Sequence, residues 1–259
     1  MEGPKDPNPA LEPYWGAIGQ AVIAVNPVVT SVFLKASAVT GEFRTRDLTC
    51  IAGPDASETI HKENDCSFYL DLRKVFFSPR LVTERARVAH IPKLEDELVL
   101  DMFAGVGPFA IQRAKVQGVP VIAVDKNPVA VEYLQRNVQV NHVANLVTSI
   151  CDDVAHLGQG NLSDIVHRAS RIIMNLPERA FQFLPQAVQA LRPNGGIIHF
   201  YQFTRESDPL ETSSRKFIDA LQTIKGELVR IDRVKIVKPY APHEYLTVVD
   251  AFCRPSFSK

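Results

Sequence analysis

Apolar and polar positions change rhythm once along this chain, near Ser78-Pro79. Before that point, "AVIAV" (21–25), "SVFLK" (31–35), "FRTRDLTCIAG" (43–53) and "CSFYLDL" (66–72) are β-branched or alternating and are divided by Pro, Gly and Asn/Asp clusters. That pattern predicts short strands in a small, mainly β domain. After it, Thr83 to about His90 can form a helix, and beyond Pro92 strands and helices alternate. "ELVLDMFA", "PVIAVDKN", "LVTSICDD", "RIIMNLP" and "GGIIHFYQF" read as strands. Helices are expected at Pro108–Gln117, Pro128–Asn141, Ala180–Leu191 and Ser213–Ile224. Alternation of this kind implies a parallel α/β sheet covered on both faces. The last two strands, "ELVRIDRVKIV" and "YLTVVDAFC", leave no room for a helix between them, so they should form an antiparallel hairpin at the sheet edge.

The first 13 residues are rich in proline and charge, and residues 1 to about 18 are expected to be a loose segment. Residues 19–90 would then be the small β (α+β) domain with a linking helix, and 91–259 the α/β domain.

Composition narrows the function classes. With 259 residues and 46% hydrophobic content the chain can bury a full core, and no apolar run approaches the ~20 residues needed to span a bilayer. A formal net charge of +0 argues against gripping nucleic acid by bulk charge and leaves local patches. Between Arg73 and Lys93 there are six Lys/Arg against one acid, Glu84. A second run holds Lys225, Arg230, Arg233, Lys235 and Lys238 against Glu227 and Asp232. Either run could simply be a solvated face. Cys50, Cys66, Cys151 and Cys253 are scattered, without the close pairs of zinc or redox sites, and the start lacks signal-peptide character. The expectation is a soluble, cytoplasmic protein, monomeric, with inert thiols and no metal.

Chemistry concentrates at strand ends. "LDMFAGVGPFA" sets Gly105 and Gly107 between a strand and a helix, and the next strand ends in Asp125. Glycines let backbone approach a ligand, and an acid there can accept from ribose hydroxyls, so the site should bind an adenosine. The G-x-G-x-x-A pattern alone fits a dinucleotide, S-adenosylmethionine or a structural turn. Two details favour S-adenosylmethionine. Asp101 would repel a pyrophosphate but could accept from an ammonium group, and Asp152 or Asp153, ending the third strand, could take the adenine amino group.

The fourth strand stops at Asn175-Leu176-Pro177-Glu178. An amide there offers a donor and an acceptor to a flat heterocycle, and Pro177 fixes the chain direction; a plainer reading is that these are ordinary turn residues. Enzymes that methylate exocyclic amines often have Asn/Asp-Pro-Pro and an aromatic here. Leu176 and Glu178 depart from that pattern.

Together, "FR" at Phe43-Arg44, "FSPRLVTER" (77–85), "DMFAGVGPF" (101–109), "VDKNP" (124–128), "MNLP" (174–177) and "KPYAP" (238–242) closely resemble the archaeal and eukaryotic tRNA (guanine-N1)-methyltransferase family. That family modifies the guanosine immediately 3′ of the anticodon, position 37. The resemblance runs from about residue 20 to the C-terminus. It implies a Rossmann-like class I methyltransferase fold with a mostly parallel seven-stranded sheet and a terminal antiparallel hairpin. It also implies that Glu84 removes the N1 proton, that Arg44 holds the guanine O6, and that Asn175 and Pro177 bound the guanine pocket. Asp101, Phe103, Gly105, Gly107, Asp125, Asn127 and Asp152 would line the cofactor, with Asn175, Phe76 and Arg80 close by. Arg46, Arg73, Lys74, Arg85 and Arg87 would meet the tRNA anticodon stem-loop. Without the resemblance, ion pairing explains Glu84 (with Arg80, Arg85 or Arg87) and Arg44 (with Asp47) better.

Guanine N1 is protonated at neutral pH, so a base and a cation beside O6 are what the chemistry asks for; each contributes about 10²- to 10⁴-fold. Family members often carry a further small N-terminal domain that recognises the outer corner of tRNA; at most about 20 residues precede the β domain here, so that module is expected to be missing. A wybutosine-pathway sister enzyme, which transfers the aminocarboxypropyl arm of the same cofactor to a tricyclic guanine, resembles the same family; "MNLP" argues for methyl transfer. Methylation of a tricyclic intermediate is also compatible with these motifs. A non-catalytic tRNA-binding subunit is opposed by the intact Asp101, Asp125 and glycines.

Overall fold

A computed structural model of the chain describes residues 9–37, 41–205, 207–224 and 226–256. It divides into two compact units. One holds the described residues up to Ile60 together with Tyr69–Phe77, the other His61–Phe68 and everything described from Ser78 onward.

The first unit begins with a 3-10 turn, Pro9–Tyr14, and a helix α1, Trp15–Val25. "AVIAV" is therefore the end of a helix and not a strand. A five-residue apolar run fits either period, and here the preceding residues extend it to helical length. The start of α1 also reaches into the segment expected to be loose; residues 1–8 of that segment lie outside the described residues. Gly19 lets α1 sit directly on Ala52, since a Cβ there would fall 2.7 Å from the Ala52 methyl. Strands β1 (Val32–Lys35) and β2 (Leu48–Ala52) pair antiparallel. The second is shorter than "FRTRDLTCIAG" suggested, because Phe43 and Arg44 lie in a turn and Arg44 adopts φ 56°. Strands β3 (Glu58–Glu63) and β4 (Cys66–Asp71) form a hairpin through which the division of the chain runs. Its turn, Asn64-Asp65, has both residues at positive φ, the conformation that two-residue hairpin loops need and Asn/Asp tolerate.

From Ser78 onward the second unit holds α2 (Val82–His90), then β5 (Val99–Asp101), α3 (Pro108–Gln117), β6 (Val121–Asp125), α4 (Pro128–Val140), β7 (Val147–Cys151) and β8 (Arg171–Met174). After α5 (Leu184–Ala190) come β9 (Gly196–Thr204), α6 (Pro209–Thr223), β10 (Gly226–Ala241) and β11 (Glu244–Pro255). The sheet order is β10-β11-β9-β8-β5-β6-β7. The central pairs are parallel, while β10–β11 and β11–β9 are antiparallel. This is the mixed seven-stranded sheet with a terminal hairpin that the alternation predicted.

One face carries an apolar core in which Leu100, Ile172, Ile198, Phe200 and Val249 meet Phe217 and Leu221 of α6. The other face is built differently, around buried ions. Glu97 takes Arg113 at 2.6 Å and Arg171 at 3.0 Å, and Arg113 also donates to the Val88 and Ala89 carbonyls that close α2. Arg85 is buried against both oxygens of Glu63. No described helix is long and apolar enough to cross a membrane.

Candidate active site

Four neighbouring strand ends and the adjoining stretch of β9 line up along the carboxyl edge of the sheet, where ligands bind in open α/β folds. In sheet order they present Tyr201 on β9, Asn175 after β8, Asp101 on β5, Asp125 on β6 and Asp152 after β7. Register sets their level. Asp101 pairs with Ile173, Met174 with Phe200, and Asp125 with Cys151. Asn175, Tyr201 and Asp152 each follow by one residue.

The acidic half has the shape of a ligand cradle. Asp101 is 1% exposed and neither of its oxygens has a partner at hydrogen-bond geometry among the described residues. Burial, aided by the Asp125 charge and opposed by the Phe103 and Ala110 amides, pushes its pKa up to about 7. The next turn is tight: Gly107 has φ 90°, and a Cβ on it would lie 2.4 Å from Leu134 Cδ1. Asp125 fastens this turn by accepting from the Gly105 amide at 2.7 Å and the Asn127 amide at 2.9 Å; burial raises its pKa despite those bonds. Asp152 accepts from the His156 ring at 2.9 Å, which holds it below the usual carboxylate range, and from the Asp153 amide at 2.8 Å. Asp153 instead caps the following 3-10 turn and pairs with Lys126 at 2.8 Å. Of the two acids considered for adenine, Asp152 is thus the one without a capping duty. A buried carboxylate with empty oxygens, a glycine turn and two further acids fit the ammonium, ribose and adenine groups of S-adenosylmethionine.

The other half is held by ionic contacts. Glu84, on α2, is 2% exposed. Its carboxylate receives Arg87 at 2.6 and 2.9 Å and the Tyr201 hydroxyl at 2.8 Å, with Lys235 at 3.6 Å. Burial and the Glu84 charge hold the Tyr201 phenol far above its usual range, so it stays a donor. Arg87 reaches on to Asp250 at 2.6 Å, and Asp250 lies 2.6 Å from His199 Nδ1. His199 Nε2 is 2.9 Å from Arg171, which can only donate, so the ring proton sits on Nδ1 and the imidazole is neutral. Burial favours that neutral form, and His199 with Arg87 holds Asp250 well below the carboxylate range against its own burial. Asn175 is half-buried and its amide makes no hydrogen bond among the described residues, while Pro177 behind it is buried.

Comparison with known proteins gives the family. Residues 59–248 match the TRM5/TYW2 methyltransferase domain. The chain belongs to that family. Residues 6–56 match the TYW2 N-terminal domain. Over 240 residues the chain is 41% identical to the tRNA (guanine(37)-N(1))-methyltransferase Trm5b of Pyrococcus abyssi, covering 93% of this chain and 69% of that protein. The crystal structure of that Trm5b superposes with a TM-score of 0.81, over 99% of this chain and 72% of the other. A complex of aTrm5 with tRNALeu gives 0.78 at 35% identity, over 93% of this chain and 66% of the other. Methanocaldococcus jannaschii TYW2 in complex with AdoMet gives 0.71 at 32% identity, over 80% of this chain and 90% of the other.

Within this TRM5/TYW2 chain, Phe103 packs edge-on against Phe183 at 5.2 Å beside the glycine turn. The Asn127 side-chain oxygen caps α4 through the Val129 amide at 3.0 Å. Arg85 and Arg87 are corrections. Both turn inward, to Glu63 and to Glu84 with Asp250, and neither offers its charge to RNA. Glu84 does pair with Arg87, but in the interior and not on the surface. Arg80 is exposed on the second unit. In the first unit, Arg44 lies 4.5 Å over the Phe76 ring. Arg46 is half-buried near Lys35, whose pKa falls through burial and then through the Arg46 charge. Arg73 bonds Asp55 and the Leu48 carbonyl, and Lys74 lies 3.3 Å from Asp71. Sequence reasoning missed Tyr201, His199 and Asp250. The signal was present: polar groups at 199 and 201 alternate with apolar ones along "IIHFYQF".

Proposed function

We propose that this chain is an S-adenosylmethionine-dependent methyltransferase that modifies N1 of guanosine 37 in tRNA, working as a monomer in the cytoplasm on the anticodon stem-loop. The observation that carries the reading is the order of groups along the strand ends. Three acids suited to a cationic nucleoside donor run directly into an amide with open hydrogen-bonding capacity, and then into a carboxylate held by two donors. The names of its relatives point the same way.

In this reading Asp101, Asp125 and Asp152 hold the ammonium, ribose and adenine ends of the cofactor, with Phe103 and the glycine turn beneath it. Bound S-adenosylmethionine supplies an electrophilic methyl group on a sulfonium. Asn175 presents its amide to the guanine edge, and Pro177 keeps that amide from turning away. Glu84 accepts the N1 proton, which frees the lone pair of the ring nitrogen for the methyl group. Arg87 and Tyr201 keep the Glu84 carboxylate in one orientation. Arg44 is assigned to the growing negative charge on O6 by the resemblance alone.

The test is incubation with labelled S-adenosylmethionine and unmodified tRNA transcripts that carry or lack guanosine 37, followed by mass spectrometry of the nucleosides. The expected product is 1-methylguanosine, from the guanosine-bearing transcript only. The match of residues 6–56 to the TYW2 N-terminal domain favours a second reading, transfer of the aminocarboxypropyl arm to a tricyclic guanosine. That product differs in mass, so the same measurement separates the two.

A further inference from the structure

Strand β10 is four residues longer than its partner, 16 against 12, and the ladder between them shifts register four times. Each shift is a bulge that inserts one residue. Their effect on the side chains is systematic. Arg230, Arg233, Lys235 and Lys238 stand opposite Phe252, Asp250, Val248 and Leu246. The spacing on β10 is irregular, yet the partners alternate strictly, and cross-strand partners project to the same face. All four cations therefore share one face. Direct contacts agree: Arg230 lies 4.7 Å over the Phe252 ring, Lys235 is 3.6 Å from Glu84, and Lys238 is 3.4 Å from the Ser78 hydroxyl. The apolar residues Leu228, Ile231 and Val234 stand opposite Cys253, Ala251 and Val249, in the core against α6.

We propose that β10 is a cationic ribbon that receives the sugar-phosphate backbone of the RNA strand carrying the target nucleotide. The partner is fixed by charge and spacing. Two residues of β11 advance about 7 Å, comparable to the step between neighbouring phosphates of a single strand. The ribbon leads toward Glu84, where the target base must arrive. Of the acids here, Asp250 and Glu84 hold Arg87 and Asp232 pairs with Arg230 at 2.7 Å, while Glu227 stands beyond Arg230, opposite Arg254. Arg233 is exposed and has no such acid on it among the described residues. Cations on an edge strand also discourage edge-to-edge association, but that purpose is served by charge on either face and needs no bulges to gather it on one.

The inference rests on the reading of the chain as a tRNA-modifying enzyme. It is tested by equilibrium binding of an unmodified tRNA transcript at several salt concentrations, with Arg233→Ala and the double variant Arg230→Ala/Arg233→Ala. Arg233→Ala is expected to weaken binding about three- to tenfold and to lower the slope of log K against log salt by about 0.7–0.9, and the double variant to do more. Arg233→Lys should restore the slope, and S-adenosylmethionine affinity should stay at the wild-type value, which shows that the fold is intact. The loss should be equal for transcripts with and without guanosine 37, because phosphate contacts carry no sequence information. Unchanged affinity and slope in the double variant, with wild-type tRNA binding intact, would overturn the ribbon alone. A loss confined to the guanosine-bearing transcript would make it base readout and overturn it as well. If the wild-type chain binds no tRNA, the proposed function falls and the ribbon with it.

Discussion

Two buried carboxylates, Asp101 at the end of β5 and Glu84 on α2, are treated in opposite ways. Asp101 and Glu84 are almost equally buried, at 1% and 2% exposure, yet Asp101 has only the Phe103 and Ala110 amides near it, short of hydrogen-bond geometry, while Glu84 has Arg87 and Tyr201 on it and Lys235 nearby. An unpaired buried carboxylate is costly, so a chain that keeps one leaves room for an external cation. A buried carboxylate already surrounded by donors is fixed in place before any ligand arrives. The donor side of the row is thus completed by its ligand, and the acceptor side is assembled in advance.

The strongest way to break this contrast is at Glu84. Glu84→Gln keeps the shape but removes the proposed proton acceptor, and should lower the single-turnover methylation rate about 10²-fold or more with S-adenosylmethionine affinity barely changed. An unaltered rate would remove Glu84 as the base. On the cofactor side, Asp125→Ala should weaken S-adenosylmethionine binding about 30-fold while tRNA affinity holds. Two losses combine there, the proposed ribose acceptor and the anchor of the Gly105 and Asn127 amides, each about 1 kcal/mol or more. An unchanged dissociation constant by calorimetry would mean that the ribose lies elsewhere.

Tyr201→Phe sharpens the comparison further. It deletes one hydroxyl that donates to Glu84 and leaves the ring, which packs 5.8 Å from Phe109 just past the glycine turn. The rate should drop about five- to tenfold, with cofactor affinity unchanged. If the hydroxyl acts only through Glu84, combining it with Glu84→Gln should cost nothing more. Equal losses in both backgrounds would show a structural role instead.

What the sequence could say depended on how each residue's partners are arranged in the chain. The sheet was legible because strands bounded by Gly, Pro and Asn carry a local periodic signal, and the order of acids at strand ends followed from it. "AVIAV" was misread because five apolar residues have no period of their own. Arg85 and Arg87 looked like surface charge because the acids that draw them inward, Glu63 and Asp250, are 22 and 163 positions away, and the nearby Glu84 gave no sign of being buried. Asn immediately before Pro128 is also a helix cap, a duty that the ligand reading of Asn127 did not include. The irregular cations of β10 looked like a solvated run because bulges, which align them, leave no mark in a count of charges.

The finest test of the contrast is pH. For Asp101 the sign is the reverse of that for a paired carboxylate, because its folded pKa is raised from 3.8 to about 7. Between those values the cofactor-free fold keeps a proton that the unfolded chain has released, so its stability falls as pH rises through that window and levels off above about 7. Cofactor binding runs the other way. An ammonium group beside Asp101 favours the ionised form, so at acid pH binding must first expel the proton. S-adenosylmethionine affinity should therefore climb as pH rises from about 6 to about 7, by roughly fivefold for a single titrating group, and flatten above that. Asp101→Asn should bind more weakly at pH 8 and show no such climb. A flat profile for the native chain over the same range would mean that Asp101 is ionised without its ligand, and the distinction between the two carboxylates would then rest on Glu84 alone.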